Sequence, residues 1–511
     1  MRRSILALVA LACVLCSCAH ITLADSPRSV NLTILHTNDT HGHLLPYSYP
    51  ETFDPESDLA RLKSRKNIGG AARRATLVNR IRKEQNRQVL LIDSGDICDG
   101  TPFSTEYHGD ADIAAMNAIG YDLACPGNHE YSNTLGQVRK MIADARFPLI
   151  SSNTTVKAEG KPLYTPYIIK EIDGARVAFF GLMTYSARNY PAARNDLQME
   201  QPIESARKLV PELRKKADLI VAVTHIGVNE DRQLATAISG IDVIVGGHSH
   251  TLLPNPIFIG SPPSSNPNSV NGTIIVQNFQ WGGTLGRLDL NLYRDNRGRW
   301  AVRKYAGKLL PVTEEIPENP EVAAIVNRFW TPISAKYGEV IGRAAGDFTI
   351  KGPDRAEYNL VADAIREELG LEFDLENLGG VRAPVVKGPI TYGDLVSLDP
   401  FGNTIVTFRA TGRQLKQILA RNRPAVSGIR YELDGSRLVA ATINGNPIED
   451  DRVYSGATNS YWAPFILSGF TEQTDTKKPR LETVLTYIRK KGTIKPSYDG
   501  RRILRGVGDF D

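Results

Sequence analysis

Five short apolar runs in the first half of the chain each lead into residue types that hold metal ions. LTIL leads to Asp39 and His41, VLLI to Asp96, DLAC to Asn128, LIVAV to His225, and VIV to His248 and His250. Imidazole, carboxylate and amide oxygen in one set suit borderline first-row divalent cations better than calcium or a thiolate-bound structural zinc. These candidates exceed the needs of a single ion, so two are implied, with zinc, manganese, cobalt or magnesium compatible. Two divalent ions held about 4 Å apart can activate a water, bind phosphate oxygens and neutralise charge during in-line attack at phosphorus. A carboxylate is the natural bridge, because its two oxygens can serve both ions. Taken singly, each of these residues is more often a loop residue or a hydrogen-bonded core group; only the joint pattern carries the chemistry.

Elements that could position such a set are legible around it. Short runs rich in Val, Ile and Leu read as strands buried on both faces of a parallel or mixed sheet, and the intervening stretches are long enough for crossover helices. Ligands collect at the carboxyl ends of strands in such sheets, which is where each run places its polar residues. LGRLDLNLYRD (285–295) alternates as an antiparallel strand does. PENPEVAAIVNRFWTPISAKYGEVIG (317–342) has helical spacing at Val322, Ile325, Phe329 and Ile333, with Pro332 placed to kink or interrupt it. It reads as a linker helix between domains, although a helix packed wholly in the second domain would look the same. NLVADAIREELG (359–370) and LETVLTYIRKKG (481–492) read as amphipathic helices of a second domain, and SPPSSNPNS (261–269) as a surface loop.

Five polar words follow the runs. HTNDTHGH (36–43), GDICDGTP (95–102), GNHE (127–130), THIG (224–227) and GGHSHT (246–251) resemble, in order, the five blocks of the calcineurin-like metallophosphoesterases. Further along, NLGGVR (377–382) and DPFGN (399–403) look like the C-terminal domain of the bacterial and animal 5′-nucleotidases. This resemblance spans residues 30 to 490 or so. It implies an α/β (α+β) fold: a four-layer metallophosphoesterase β-sandwich flanked by helices, then a smaller α/β C-terminal domain that binds substrate. It also implies that Asp39, His41, Asp96 and His250 hold one ion while Asp96, Asn128, His225 and His248 hold the other, with Asp96 as the bridge. In the family the histidine matching His129 faces the phosphate, stabilising pentacovalent phosphorus or protonating the leaving oxygen. Many relatives orient it with an aspartate three residues on. Ser132 stands there in this chain, and Glu130 is a candidate substitute. His36 reads as structural and His43 as a pocket-lining residue.

For substrate binding the resemblance implies Arg382, with Arg355 as a second arginine whose spacing departs from the pattern. Asn377 and Gly379 fit the turn presenting Arg382, and Phe401 with Asn403 match the family's base-stacking ring and its polar neighbour. Tyr461 or Trp462 can supply a second ring. The family's Gly-rich turn with a nucleoside-binding aspartate is replaced by the apolar NSYWAPFILSGF (459–470).

The chain's 511 residues allow two or three domains, and its 41% hydrophobic content is ample for packed cores. A net charge of +5 with scattered basic residues weighs against a nucleic-acid polymer as partner. Arg2 and Arg3 precede an apolar stretch, Ile5 to Leu15, too short to span a bilayer, so it reads as a secretory signal. Leu15 to Cys18 resembles a lipoprotein processing box with Cys18 as the lipidated residue; ordinary cleavage after Ala24 is the rival. Cys98 and Cys125 then remain, as a disulfide or as two buried thiols. The domain reading is a lipoprotein signal at 1–18, a metallophosphoesterase domain at 28–312, a linker helix at 313–340 and a substrate-binding domain at 341–511. The expected function is an exported periplasmic or cell-envelope hydrolase releasing phosphate from nucleoside 5′-monophosphates. Alternatives are a 2′,3′-cyclic nucleotide phosphodiesterase, a UDP-sugar pyrophosphatase, or a non-catalytic surface protein that binds nucleotides or a partner.

Overall fold

The computed structural model describes residues 29–50, 58–62, 64–84, 88–260, 271–295, 298–349 and 355–506. The signal with Cys18 and the 261–269 segment lie outside the described residues.

Strands β1 (Ser29–Thr37), β2 (Gln88–Asp93) and β3 (Leu123–Ala124) run parallel in a first sheet. The second sheet is built from β4 (Tyr167–Ile172), β5 (Ala175–Met183), β6 (Leu219–His225), β7 (Val243–Val245), β8 (Ile257–Gly260) and β9 (Gly272–Val276). The chain then returns to the first sheet with β10 (Thr284–Arg294) and β11 (Trp300–Pro311), β10 pairing antiparallel with β1. The orders are β11-β10-β1-β2-β3 and β8-β9-β7-β6-β5-β4. The five apolar runs are therefore divided, three in one sheet and two in the other.

Their two-sided apolarity is met by a packed layer on each face of both sheets. Leu32, Ile34, Leu90 and Ile92 of the first sheet pack against Val177, Phe179, Val221, Val223 and Val245 of the second. The opposite face of the first sheet, with Leu35 and Leu91, lies under helical residues such as Val78, Ile113 and Met116. The outer face of the second, with Phe180, Ile220 and Ile244, lies under Val210, Leu213 and Leu234. Four layers result, helix, sheet, sheet, helix. Each fully buried Leu, Ile or Val contributes roughly 1.5–3 kcal/mol, which gives the loops at the strand ends a stiff base.

Helix α1 (Pro320–Trp330) starts at Asn319, whose side chain accepts the backbone N–H groups of Glu321 and Val322, both at 3.1 Å. It ends before Pro332, and a single turn, Ser334–Tyr337, follows. Val322 and Val326 pack with the helical layer of the first sheet, whereas Ile333 and Tyr337 pack with Val396. The segment thus ties the two halves of the chain together.

The second half holds a five-stranded sheet of β12 (Phe373–Glu376), β13 (Thr404–Thr411), β14 (Ala425–Ser427), β15 (Val453–Asn459) and β16 (Gln473–Pro479), in the order β14-β12-β15-β13-β16. Helices α2 (Ala356–Leu369) and α3 (Arg480–Lys491) pack through Val361, Ile365, Val484 and Ile488. Both loops with family words, NLGGVR after β12 and DPFGN before β13, leave the same sheet.

Candidate dinuclear metal centre

The carboxyl ends of β1, β2, β3, β6 and β7 converge. Asp39, His41, Asp96 and His250 offer ligand atoms that all lie within 4.8 Å of one another, and so do Asp96, His225 and His248. Asp96 belongs to both groups. Its Oδ2 is 3.1 Å from His225 Nε2 and 3.7 Å from His41 Nε2, while Oδ1 accepts the backbone N–H of His129 at 2.8 Å. The loops reach this density through unusual backbone. Asp39 (φ 52°), His41 (47°), Asp96 (52°), His248 (77°) and His250 (50°) all sit in the left-handed region. Gly127 is required beside Asp96, since a Cβ there would lie 2.2 Å from both the backbone nitrogen and Oδ1 of Asp96.

The donor set fits two cations. His41 Nδ1 donates to the Asp99 carbonyl at 2.9 Å, His225 Nδ1 to the Ser94 carbonyl at 2.7 Å, and His250 Nδ1 to Gln280 Oε1. Each bond holds the proton on Nδ1 and turns Nε2 toward the site, the arrangement expected of metal-ligating histidines. His41 Nε2 and His250 Nε2 then face each other at 3.2 Å, a repulsive contact that a cation relieves. Asn128 donates through Nδ2 to the Tyr190 hydroxyl at 2.8 Å, and its buried Oδ1 has no hydrogen-bond partner among the described residues. Burial opposes the charge on Asp96, but His225, His129 and His41 outweigh it and hold the carboxyl well below the usual range. Burial lowers His225 too, yet Asp96 and Asp39 lift it to about 10, so a cation bound here displaces a proton. Burial holds His248 at about 4, in its ligand form.

The His129 ring is oriented by neither the Ser132 nor the Glu130 side chain. Its Nδ1 lies 2.6 Å from Asp99 Oδ2, and Ser132 Oγ donates to that same oxygen at 2.6 Å. Glu130 points the other way, accepting the backbone N–H groups of Asp96, Ile97, Cys98 and Gly127 at 3.0, 2.8, 3.2 and 2.5 Å. The expectation that Glu130 substitutes for an orienting aspartate therefore fails: its lone pairs are committed to the loop holding Asp96. Asp99, Tyr190 and Gln280 have no part in the sequence reading. Asp99 had a signal, an acid three residues after Asp96; the other two are single polar residues in unmarked loops.

Residues of the second half complete the cleft. Arg382 Nη2 is 3.0 Å from His41 Nε2, and the Arg382 guanidinium lies 6.0 Å from the centre of the Phe401 ring. Phe401 also stacks on His129, centroids 6.0 Å apart. Gly379 has φ 94°, and its N–H donates to the Tyr358 hydroxyl at 2.8 Å. Arg355 sits over the Tyr358 ring at 5.6 Å. Asn377 Oδ1 accepts from Asn459 at 2.8 Å, and Asn403 accepts the Arg480 backbone N–H through its carbonyl, also at 2.8 Å. Beneath both loops lies the fully buried Arg480, bonded to Asp399, to Glu376 and to the Gly380 carbonyl at 2.6 to 2.7 Å. Tyr461 is 54% exposed, with its ring against the exposed Phe465.

Other sequence readings are placed as well. His36 is buried against Gly286 with burial holding it at about 3. His43 stacks on Trp281, centroids 4.3 Å apart, and lines a cavity of about 510 Å³. Cys98 and Cys125 are free and buried. Among the described residues, no helix is long and apolar enough to cross a membrane.

Comparison with known proteins agrees with this geometry. The family model for calcineurin-like phosphoesterase matches residues 32–252, and that for the 5′-nucleotidase C-terminal domain matches residues 340–465. The chain is 30% identical to a 5′-nucleotidase of Vibrio cholerae over 502 residues, covering 87% of each chain. It is also 30% identical over 497 residues to the trifunctional nucleotide phosphoesterase protein YfkN of Bacillus subtilis, spanning 84% of this chain but only 32% of that longer protein. Among solved structures, a 5′-nucleotidase precursor from Thermus thermophilus superposes with a TM-score of 0.82 at 28% identity, over 94% of this chain and all of that one. With two metal-ligand groups sharing one aspartate at the meeting point of two sheets, and the sheet of the second half presenting an arginine and a ring to it, the chain belongs to the 5′-nucleotidase family of metal-dependent phosphoric ester hydrolases.

Proposed function

We propose that the protein releases phosphate from nucleotides, chiefly nucleoside 5′-monophosphates. Asp39, His41, Asp96 and His250 would hold one divalent ion, and Asp96, Asn128, His225 and His248 the second. When bound, the ions supply polarisation of the phosphate oxygens and activation of the attacking water. The chain's own residues do the rest. Arg382, close to His41 Nε2, reaches a phosphate oxygen with a planar fork of donors. The Phe401 ring gives the base a stacking face. His129 faces the phosphoryl group through Nε2 and hands a proton to the leaving oxygen as the P–O bond breaks.

The observation that carries this reading is the joint placement of Arg382 and Phe401 against His41 and His129. A ring able to stack a base lies 6.0 Å from the His129 ring, beside an arginine 3.0 Å from His41, an arrangement that suits a 5′-monophosphate. A nucleotide sugar or a 2′,3′-cyclic nucleotide uses the same metals and is the runner-up. Phosphate release from AMP, UDP-glucose and 2′,3′-cyclic AMP by metal-loaded protein separates them. AMP is expected to turn over fastest; dominance of either other substrate overturns the preference, and silence on all three overturns the enzyme. We place the activity outside the cytoplasm, as a lipoprotein anchored at Cys18. Metabolic labelling with a fatty acid should mark the wild type and not Cys18→Ala.

A further inference from the structure

We infer that Asp99, steadied by Ser132, is the residue that positions His129, taking over from the aspartate that relatives carry three residues after this histidine. The inference rests on His129 acting at the phosphoryl group, as proposed above. Asp99 arrives from the loop of the bridging ligand Asp96, and several contacts hold it there. Its Oδ2 accepts from His129 Nδ1 and from Ser132 Oγ, both at 2.6 Å. Its backbone N–H donates to Ser104 Oγ at 2.7 Å, and its carbonyl accepts from His41 Nδ1 at 2.9 Å. The backbone is left-handed at φ 73°, a conformation that aspartate tolerates better than most residues. One residue thus sets the ring plane of a metal ligand with its carbonyl and of His129 with its carboxylate.

This geometry defines the atom that works. With Nδ1–H committed to Asp99, His129 turns Nε2 into the cleft, 4.0 Å from Asp96 Oδ2. When the P–O bond breaks, its electron pair stays with the leaving oxygen, the proton on Nε2 moves to that oxygen, and the imidazole is left neutral with Nδ1–H still held. Ser132 then has a role that its position in the sequence hides. It fills the second lone pair of the Asp99 oxygen and so keeps the carboxylate aimed at the ring. Placing an aspartate at 132 alone would set two carboxylates at hydrogen-bonding distance, an unfavourable pair. Exchanging the two residues would restore one carboxylate and one hydroxyl from the opposite sides.

The test is that exchange. Asp99→Ser, the near-isosteric Asp99→Asn, Ser132→Asp and the double variant Asp99→Ser/Ser132→Asp would be assayed for kcat and KM on AMP and on an activated aryl phosphate. Bound metal would be counted by elemental analysis, and the downfield Nδ1–H proton followed by NMR. Loss of positioning should lower kcat on AMP about 10²-fold in each single variant, with far less effect on the aryl ester. KM and two metal equivalents should be kept, and the Nδ1–H resonance lost. The double variant should recover most of the rate and the resonance. Unchanged AMP turnover in Asp99→Asn overturns the inference, as does equal loss on both substrates with loss of metal, or a double variant no better than either single one. Full AMP turnover in His129→Ala would instead overturn the role of the histidine itself.

Discussion

An Asp96→Ala protein should lose turnover more completely than His41→Ala, because Asp96 belongs to both ligand groups and His41 to one. Chelation should inactivate the wild type and added divalent metal restore it; substantial activity in Asp96→Ala with two equivalents bound would refute the bridge. A subtler case is Tyr190, whose hydroxyl accepts from the Asn128 amide and so leaves Oδ1 free to ligate. Tyr190→Phe frees that amide to rotate and should weaken metal binding about 10-fold or more without unfolding the protein, measurable by competition with a chelator. At this scale the ligands were legible in the sequence because imidazole and carboxylate at the ends of apolar runs are chemically conspicuous. Asp99 was not read, since a carboxylate that orients another side chain looks like any loop acid. Ser132 was noticed only as a departure from the aspartate that relatives carry there. The contact with Asp99 shows what the serine does instead: it donates to the carboxylate that holds the His129 ring.

Glu130 shows how an element depends on a buried acid. Its carboxylate gathers the backbone N–H groups of Asp96, Ile97, Cys98 and Gly127, so it closes the loop after β2 against the turn after β3. Glu130→Ala leaves buried donors unsatisfied at about 1–3 kcal/mol each, and should lower the melting temperature and the metal content together. Glu357, in the first turn of α2, offers a test by pH. Burial pushes its carboxyl up to about 8, and neither of its side-chain oxygens has a hydrogen-bond partner among the described residues. The folded form keeps the proton where the unfolded chain has lost it, so this group's contribution to stability falls as pH rises from about 4.5 to about 8. Glu357→Gln should flatten that decline in a melting series, and an unchanged slope would show that the group is not the source. Strands and helices were legible from periodicity, including α2 and α3. The partition of the five runs into two sheets was not, because strands apolar on both faces look alike whichever neighbour covers them. Arg480 was equally hidden: it stands one residue before the helical pattern of 481–492, with nothing to mark it as the strut under two substrate loops.

At the scale of the molecule, neither half holds the whole cleft: the metal ligands come from one and Arg382 with Phe401 from the other. Stacking on one ring is worth roughly 1–3 kcal/mol, so Phe401→Ala should reduce kcat/KM for AMP by about one to two orders of magnitude and leave a small aryl phosphate nearly untouched. Parallel loss on both would show that Phe401 supports His129 rather than the base. Around Tyr461 the surface is apolar and exposed, with few side chains to reward one base over another, so AMP, GMP, CMP and UMP should be used at similar rates. A strong preference for one of them would locate base-reading groups elsewhere. The five words in order made the fold and the pairing of functions legible. How closely Arg382 approaches His41 depends on how the two halves meet, which no local pattern encodes.

The left-handed backbone at Asp39, His41, Asp96, His248 and His250 sets the interests of the empty chain against those of the loaded one. Each such residue is disfavoured by roughly 1–3 kcal/mol relative to glycine, which adopts the conformation freely. His248→Gly should therefore raise the melting temperature of the metal-free protein while lowering that of the metal-loaded one. A laboratory lineage bred only for heat resistance in the presence of chelator would drift toward glycine at the three histidines and go silent as a catalyst, whereas one bred at saturating metal would keep them.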